Sequence, residues 1–171
     1  MSELVFVGIG SNQQRETRIR QAVAALAERF GPLRLSPVYD SPAFGFEGSD
    51  FLNLVAAFET GLGIAEVVDE FHAIEDRLGR DRSLPKFASR PIDLDILLYG
   101  NLVTNTDKFH VPRREILEHP FVLKPLQDLA PDARHPETGE TYRELWRRMA
   151  PNASRLESYA LDLPESSDSI A

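Results

Sequence analysis

The sequence predicts an α+β sandwich, a mostly antiparallel sheet covered by helices, and three observations carry that prediction. Short β-branched apolar runs alternate with amphipathic helical patterns along the chain. Their order lacks the regular rhythm of a doubly wound sheet. A tight turn at Gly100-Asn101 leads into Leu102-Val103 and closes a hairpin. No internal repeat and no linker divides the chain.

Taken in order, 4–9 is an apolar, β-branched run that stops at Gly10-Ser11-Asn12, a strand and its turn. Over 14–30 the apolar positions Ile19, Val23, Ala24, Leu26, Ala27 and Phe30 recur at helical spacing. Gly31-Pro32 ends that helix. A second strand spans 33–39. The stretch 40–50, with Pro42, Gly45 and Gly48, reads as a loop. A third strand covers 51–60 and a second amphipathic helix 64–78, ended by Gly79. A fourth strand runs from 92 to 99. One or two short helices fall within 115–129, interrupted by Pro120 and Pro125. Another short helix covers 142–149. Residues 1–156 therefore form one domain. From Glu157 onward the chain is acidic and serine-rich with no basic residue, which predicts a disordered tail over 157–171.

Bulk composition narrows the function. The chain has 171 residues, 42% hydrophobic and 27% charged, enough for one packed core. It has no cysteine, which closes off disulfides and thiolate metal sites. The formal net charge of −8 argues against general binding to nucleic acid or anionic membrane. No signal peptide or spanning apolar run is evident, so a cytoplasmic location is expected. The basic residues Arg77, Arg80, Arg82, Lys86 and Arg90 nevertheless cluster in one segment. Such a loop suits a compact anion such as a triphosphate; the alternative is a solvated loop whose charges balance nearby carboxylates.

The segment Arg90-Pro91-Ile92-Asp93-Leu94-Asp95-Ile96-Leu97-Leu98 carries the most chemistry. Strand alternation points Ile92, Leu94, Ile96 and Leu98 into the core, and Asp93 and Asp95 to the other face, about 7 Å apart along the strand. Two carboxylates held side by side repel unless a cation or proton intervenes. All-oxygen ligands suit Mg²⁺, and such a pair can bridge two ions roughly 4 Å apart to clamp a polyphosphate. A strand with one wet face is the plain alternative. The chain lacks a P-loop, a dinucleotide fingerprint, a G-x-S-x-G and an H-E-x-x-H. Gly8-Ile9-Gly10 is accounted for by a strand-ending turn. His72, His110, His119 and His135 show no ligand spacing and read as surface or capping residues. Phe44, Phe51 and Phe121 could sandwich a flat heterocycle whose edge Asn53 would read, or each could be core.

Several motifs occur in order: Gly8-Ile9-Gly10-Ser11-Asn12, Ser41-Pro42, Phe51-Leu52-Asn53, Glu75 with Gly79-Arg80, the Arg90–Leu97 segment, Val111-Pro112, and Phe121-Val122-Leu123-Lys124-Pro125-Leu126. Together they resemble the 6-hydroxymethyl-7,8-dihydropterin pyrophosphokinase family of folate biosynthesis, over residues 3–148. The resemblance implies a ferredoxin-like fold, mostly antiparallel with helices packed on both faces. It also implies transfer of pyrophosphate from ATP to the pterin hydroxymethyl, releasing AMP. Position by position, it makes Asp93 and Asp95 ligands of two Mg²⁺ ions and Arg80 and Arg90 phosphate-binding catalytic residues. Ser41, Pro42, Phe44, Phe51, Asn53 and Phe121 would form the pterin pocket. Glu75, Arg82, Ile96 and Arg113, with Arg80 and Arg90, would line the nucleotide site. ATP and the pterin are the expected partners of a monomer that needs no protein nucleophile.

The chain departs from the family pattern at three places. Phe87, followed by Ala88-Ser89, stands where a tryptophan and Gly-Pro are common. Arg113 replaces a usual histidine, and His119 a usual arginine. These changes would also suit a paralogue or a binding module that recognises a modified pterin. A glycosyltransferase could use Asp-x-Asp, but the chain has no room for a nucleotide-sugar domain.

Overall fold

A computed structural model describes residues 2–42, 50–79 and 91–163. Its principal sheet is antiparallel throughout, with strands β1 (Glu3–Ser11), β2 (Arg34–Leu35), β3 (Val38–Ser41), β4 (Phe51–Thr60), β5 (Asp93–Tyr99) and, near the end of the chain, β8 (Glu157–Tyr159). The spatial order is β5-β1-β4-β3-β8, with β2 also paired to β4. Strands β6 (Thr104–Asn105) and β7 (His110–Val111) form a separate two-stranded ribbon. The helices are α1 (Arg15–Phe30), α2 (Ile64–Arg77), α3 (Pro120–Leu129) and α4 (Tyr142–Met149).

Helices cover both faces of the sheet, as the α+β, ferredoxin-like expectation required. Ile19, Val23 and Leu26 of α1 and Val67, Phe71 and Ile74 of α2 recur every three or four residues. They pack onto Val5, Val7, Ile9, Leu52, Leu54, Ala56 and Phe58. The Phe30 and Phe58 rings stack at 4.2 Å, and Phe71 meets Phe58 edge-on at 6.2 Å. On the opposite face Leu123, Leu126 and Leu129 of α3 and Tyr142 and Leu145 of α4 cover Phe6, Val55, Ala57, Leu97 and Leu98. Strand β4 is thus buried on both sides, which explains its almost unbroken apolar run. Gly31 (φ 85°) and Gly79 (φ 96°) stop α1 and α2 in a backbone conformation that side chains resist.

Five local expectations are corrected. Strand β1 runs through Ser11 rather than turning at Gly10. The predicted strand over 33–39 splits into β2 and β3, because Pro37 has no N–H to give the ladder. Ser36 bridges the break, its Oγ accepting from the Val55 N–H at 2.8 Å. The β1–β5 register shifts between Phe6 and Val7, so Leu98 faces α3 and α4, not the core layer of Leu94 and Ile96. The turn at Gly100-Asn101 forms, but Leu102 and Val103 stay exposed and unpaired while β6 and β7 make the ribbon.

The fifth concerns the acidic tail. Its composition predicts disorder over 157–171, yet Glu157–Tyr159 pairs with β3, and Tyr159, Leu161 and Leu163 pack on the α1/α2 layer, while 164–171 lie outside the described residues. The partners explain the difference. Tyr159 donates to Glu16 at 2.7 Å beneath the Arg15 guanidinium, and Arg20 Nε donates to the Asp162 carbonyl at 3.2 Å. Pro120 starts α3 at its first turn, and Pro125 is accommodated inside it. No described helix is long and apolar enough to cross a membrane.

Candidate active site

Among the described residues, the face of the sheet that α3 and α4 cover is left open at one end. There strand alternation aligns two rows of residues across three strands. Asp93 on β5 stands beside Gly10 on β1, which pairs with Asn53 on β4. In the next row Asp95 stands beside Gly8, which pairs with Val55. Neighbouring strands lie about 4.8 Å apart, so the carboxylates and Asn53 sit roughly 10 Å from each other across a glycine floor.

A cavity of about 540 Å³ lies over this floor. Ser41, Pro42 and Phe51 bound one side, and Arg113, Glu115, His119, Phe121 and Val122 the other. The glycines keep the floor flat. A Cβ on Gly10 would come within 2.8 Å of Asn53 Oδ1, while one on Gly8 would meet Leu97 at 3.5 Å. Glycine in a strand interior marks close approach of another group, and here it leaves space for a ligand. Gly10→Ala is therefore expected to push Asn53 aside and weaken binding of a flat ring ligand in this cavity about tenfold. Calorimetry of Gly10→Ala against Gly8→Ala would check it, the second variant being the milder.

Asn53 Nδ2 donates to Ser41 Oγ at 2.8 Å, which fixes the amide and leaves its oxygen over Gly10. Ser41 is itself buried. On the opposite wall the His119 and Phe121 rings stack at 5.0 Å, only 10° from parallel. Burial pushes the His119 imidazole below its usual pKa, so it meets the cavity uncharged at neutral pH. This pair offers a flat aromatic surface to match Phe51 across the cavity. His135, by contrast, is a buried structural residue, its Nδ1 accepting from the Glu137 and Thr138 N–H groups.

Charge is concentrated at the β5 end. Partial burial, then the adjacent Asp93, holds the Asp95 carboxyl well above the usual carboxylate range, with Arg113 opposing the shift. Arg113 reaches Asp95 Oδ1 at 3.4 Å and Glu115 at 2.8 Å, while its backbone N–H donates to the Leu97 carbonyl at 2.9 Å. Two carboxylates facing one cavity, one of them reluctant to ionise beside the other, make a donor set suited to a hard divalent cation. Among the described residues no three acidic or histidine side chains cluster around such a position. The remaining ligands of an ion there would be waters and substrate oxygens.

Of the site residues expected from sequence, Ser41, Pro42, Phe51, Asn53, Asp93, Asp95, Arg113 and Phe121 all line this cavity. Two do not. Glu75 is buried on the α2 side, where its carboxylate accepts from the Leu94 N–H at 2.7 Å. Its charge adds to the upward push on Asp95. The Ile96 side chain is in the α1/α2 core, away from the cavity. Phe44, Arg80, Arg82 and Arg90 lie outside the described residues. Sequence reasoning missed Gly8 and Gly10, whose spacing of two inside a β run was the available signal. It also missed Glu115, for which no spacing signal exists.

The chain is also similar to known proteins. Residues 6–131 match the family model described as 7,8-dihydro-6-hydroxymethylpterin-pyrophosphokinase. The chain is 38% identical over 141 residues to 2-amino-4-hydroxy-6-hydroxymethyldihydropteridine pyrophosphokinase of Pseudomonas aeruginosa, covering 80% of this chain and 86% of that protein. It is 32% identical over 156 residues to the Bacillus subtilis protein of the same name, covering 86% and 93%. A crystal structure of Plasmodium falciparum HPPK-DHPS has the same fold, with a TM-score of 0.70 over 89% of this chain at 13% identity. The chain spans 44% of that longer protein.

Proposed function

The chain belongs to the 7,8-dihydro-6-hydroxymethylpterin-pyrophosphokinase family, and from that premise we propose how its own residues carry pyrophosphate from ATP to a hydroxymethyl-dihydropterin in folate synthesis. The observation that carries the reading is the alignment of Asp93 and Asp95 with Asn53 across a glycine floor, under one cavity. It gives one pocket an acidic end for a metal-bound polyphosphate and a neutral, aromatic end for a flat ring.

The pterin ring lies between Phe51 and the His119–Phe121 stack, and the family resemblance assigns Phe44 to the same pocket. Asn53, held by Ser41, reads its edge with one donor and one acceptor. A pterin so placed rests over Gly10, with its hydroxymethyl group directed along the floor toward β5. Asp93 and Asp95 would hold two Mg²⁺ ions, which when bound neutralise the phosphate oxygens and draw charge from the transferred group. Arg80, Arg82, Arg90 and Arg113 bind the nucleotide's phosphates, in keeping with the fork geometry of guanidinium.

The hydroxymethyl oxygen attacks the β-phosphorus of ATP. A new O–Pβ bond forms, the bond from Pβ to the α-bridging oxygen breaks, and AMP leaves with that oxygen while the hydroxyl proton passes to solvent. No side chain becomes covalently attached, so rate comes from positioning and from electrostatic stabilisation. Leu102, Val103 and Leu117 are the exposed large apolar side chains of the described surface, too few for an obligate interface, which supports a monomer. The lack of cysteine and the use of ATP support a cytoplasmic location.

Turnover of the purified protein with ATP, Mg²⁺ and 6-hydroxymethyl-7,8-dihydropterin tests the reading. AMP that appears only when pterin and metal are both present is expected. ADP in its place would mean single phosphoryl transfer and a wrong mechanism.

A further inference from the structure

We propose that Arg113 is a built-in counter-cation of the acidic pair, which keeps free metal off Asp95 until a nucleotide arrives to draw the guanidinium away. The proposal rests on the assignment of Asp93 and Asp95 as metal ligands. Its starting point is a conflict of charge. Asp93 and Asp95 share one face of β5 with no intervening side chain, and Asp95 is third-exposed at the cavity floor. In the metal-free protein that charge is offset by a proton, by a cation, or by both.

Arg113 is the described side chain that does so. Its guanidinium bridges Asp95 Oδ1 at 3.4 Å and Glu115 Oε2 at 2.8 Å. Its backbone is pinned to β5 through the Leu97 carbonyl. The arrangement is lopsided: the contact to Glu115 is short and the one to Asp95 long. Glu115 therefore anchors the group while Asp95 is the partner it can release. A guanidinium is always charged, has five donors, and binds phosphate as readily as carboxylate. A polyphosphate entering the cavity offers Arg113 better partners than Asp95 and brings its own divalent cation.

The consequence is an order of events. A lone divalent ion has to displace a resident positive charge, whereas an ion arriving on ATP exchanges places with it. Metal affinity is then weak without nucleotide and strong with it. Linkage requires the reverse as well: metal strengthens nucleotide binding by the same factor.

Binding of Mn²⁺ to the nucleotide-free protein, followed by the loss of the free-ion paramagnetic resonance signal, tests this directly. Arg113→Met, which keeps length and removes charge, is expected to bind Mn²⁺ about tenfold tighter than the wild type. Arg113→Lys is expected to bind it as weakly as the wild type. Equal or weaker binding by Arg113→Met overturns the proposal. So does tight binding by Arg113→Lys, which also serves if the methionine variant fails to fold. Asp95→Asn separates the underlying assignment. If it loses Mn²⁺ binding while Arg113→Met matches the wild type, only the counter-cation fails. If Asp95→Asn binds Mn²⁺ unchanged, the ion is elsewhere and the metal assignment fails first.

Discussion

Asp95→Asn is expected to lower turnover at least about 10³-fold while leaving the protein folded and no less stable. The first half follows from the proposed role, since the amide keeps the shape of the carboxylate but cannot supply its charge to a cation. The second half follows from the direction of the Asp95 shift. Its pKa is raised in the folded protein by burial and by Asp93. A carboxyl raised on folding binds its proton more tightly in the native state than in the unfolded chain. Stability therefore falls as pH rises from the unfolded value, near 3.9, through the folded one, and the loss is complete above the folded pKa. Asparagine carries no such loss, and it also relieves Asp93. Melting curves of the two proteins in chelator, from about pH 4 to pH 7, should separate in favour of the variant as pH rises. Arg113 keeps Glu115 as a partner at 2.8 Å, which limits the cost of removing Asp95. Undiminished turnover in a properly folded Asp95→Asn protein would remove the acidic pair from the mechanism.

At the other end of the cavity, Asn53→Ala is expected to lower kcat/KM for the pterin about 100-fold, almost entirely through KM, with KM for ATP unchanged. In the proposed site Asn53 reads the heterocycle edge, and its hydrogen bond to Ser41 fixes its orientation. Sites that hydrogen-bond a ligand lose much when the protein group is deleted, because the ligand's polar edge is then buried unpaired. The buried Ser41 hydroxyl also loses a donor, so a stability loss of about 1 kcal/mol should accompany the change. Steady-state kinetics with each substrate varied in turn distinguishes the two ends of the site. An equal rise in both KM values would point to a general disturbance of the sheet rather than to recognition by Asn53.

These two residues also show what was legible in the sequence. The Asp93-Leu94-Asp95-Ile96 alternation places both carboxylates on one face by strand geometry alone, and the structure has them there. The period-3.6 patterns of α1 and α2 and the almost unbroken apolar run of β4 gave the element types for the same reason: local periodicity is written in local sequence. What failed was whatever depends on distant partners. The shift beside Leu97 turns Leu98 over, and nothing within β5 announces it because it arises in pairing with Phe6 and Val7. Glu157–Tyr159 looks too polar to be ordered until β3 and Arg15 are placed beside it. Gly8 and Gly10 read as the end of a strand because a glycine's value as empty space appears only once Asn53 and Asp93 stand on either side.

Strand β4 has a consequence for how the protein breathes. One end of it carries Phe51 and Asn53 into the cavity, and the other carries Val55 and Ala57 beneath α3 and α4. It is hydrogen-bonded to β1 along its length and to β2 and β3 on its far edge. The floor of the cavity cannot fray separately, so β4 amides should exchange with deuterium only through global opening. A ligand held at 100 times its Kd should then slow exchange about 100-fold along the whole of β4, as far as Phe58. Substrate occupancy becomes readable from amides that no substrate atom touches.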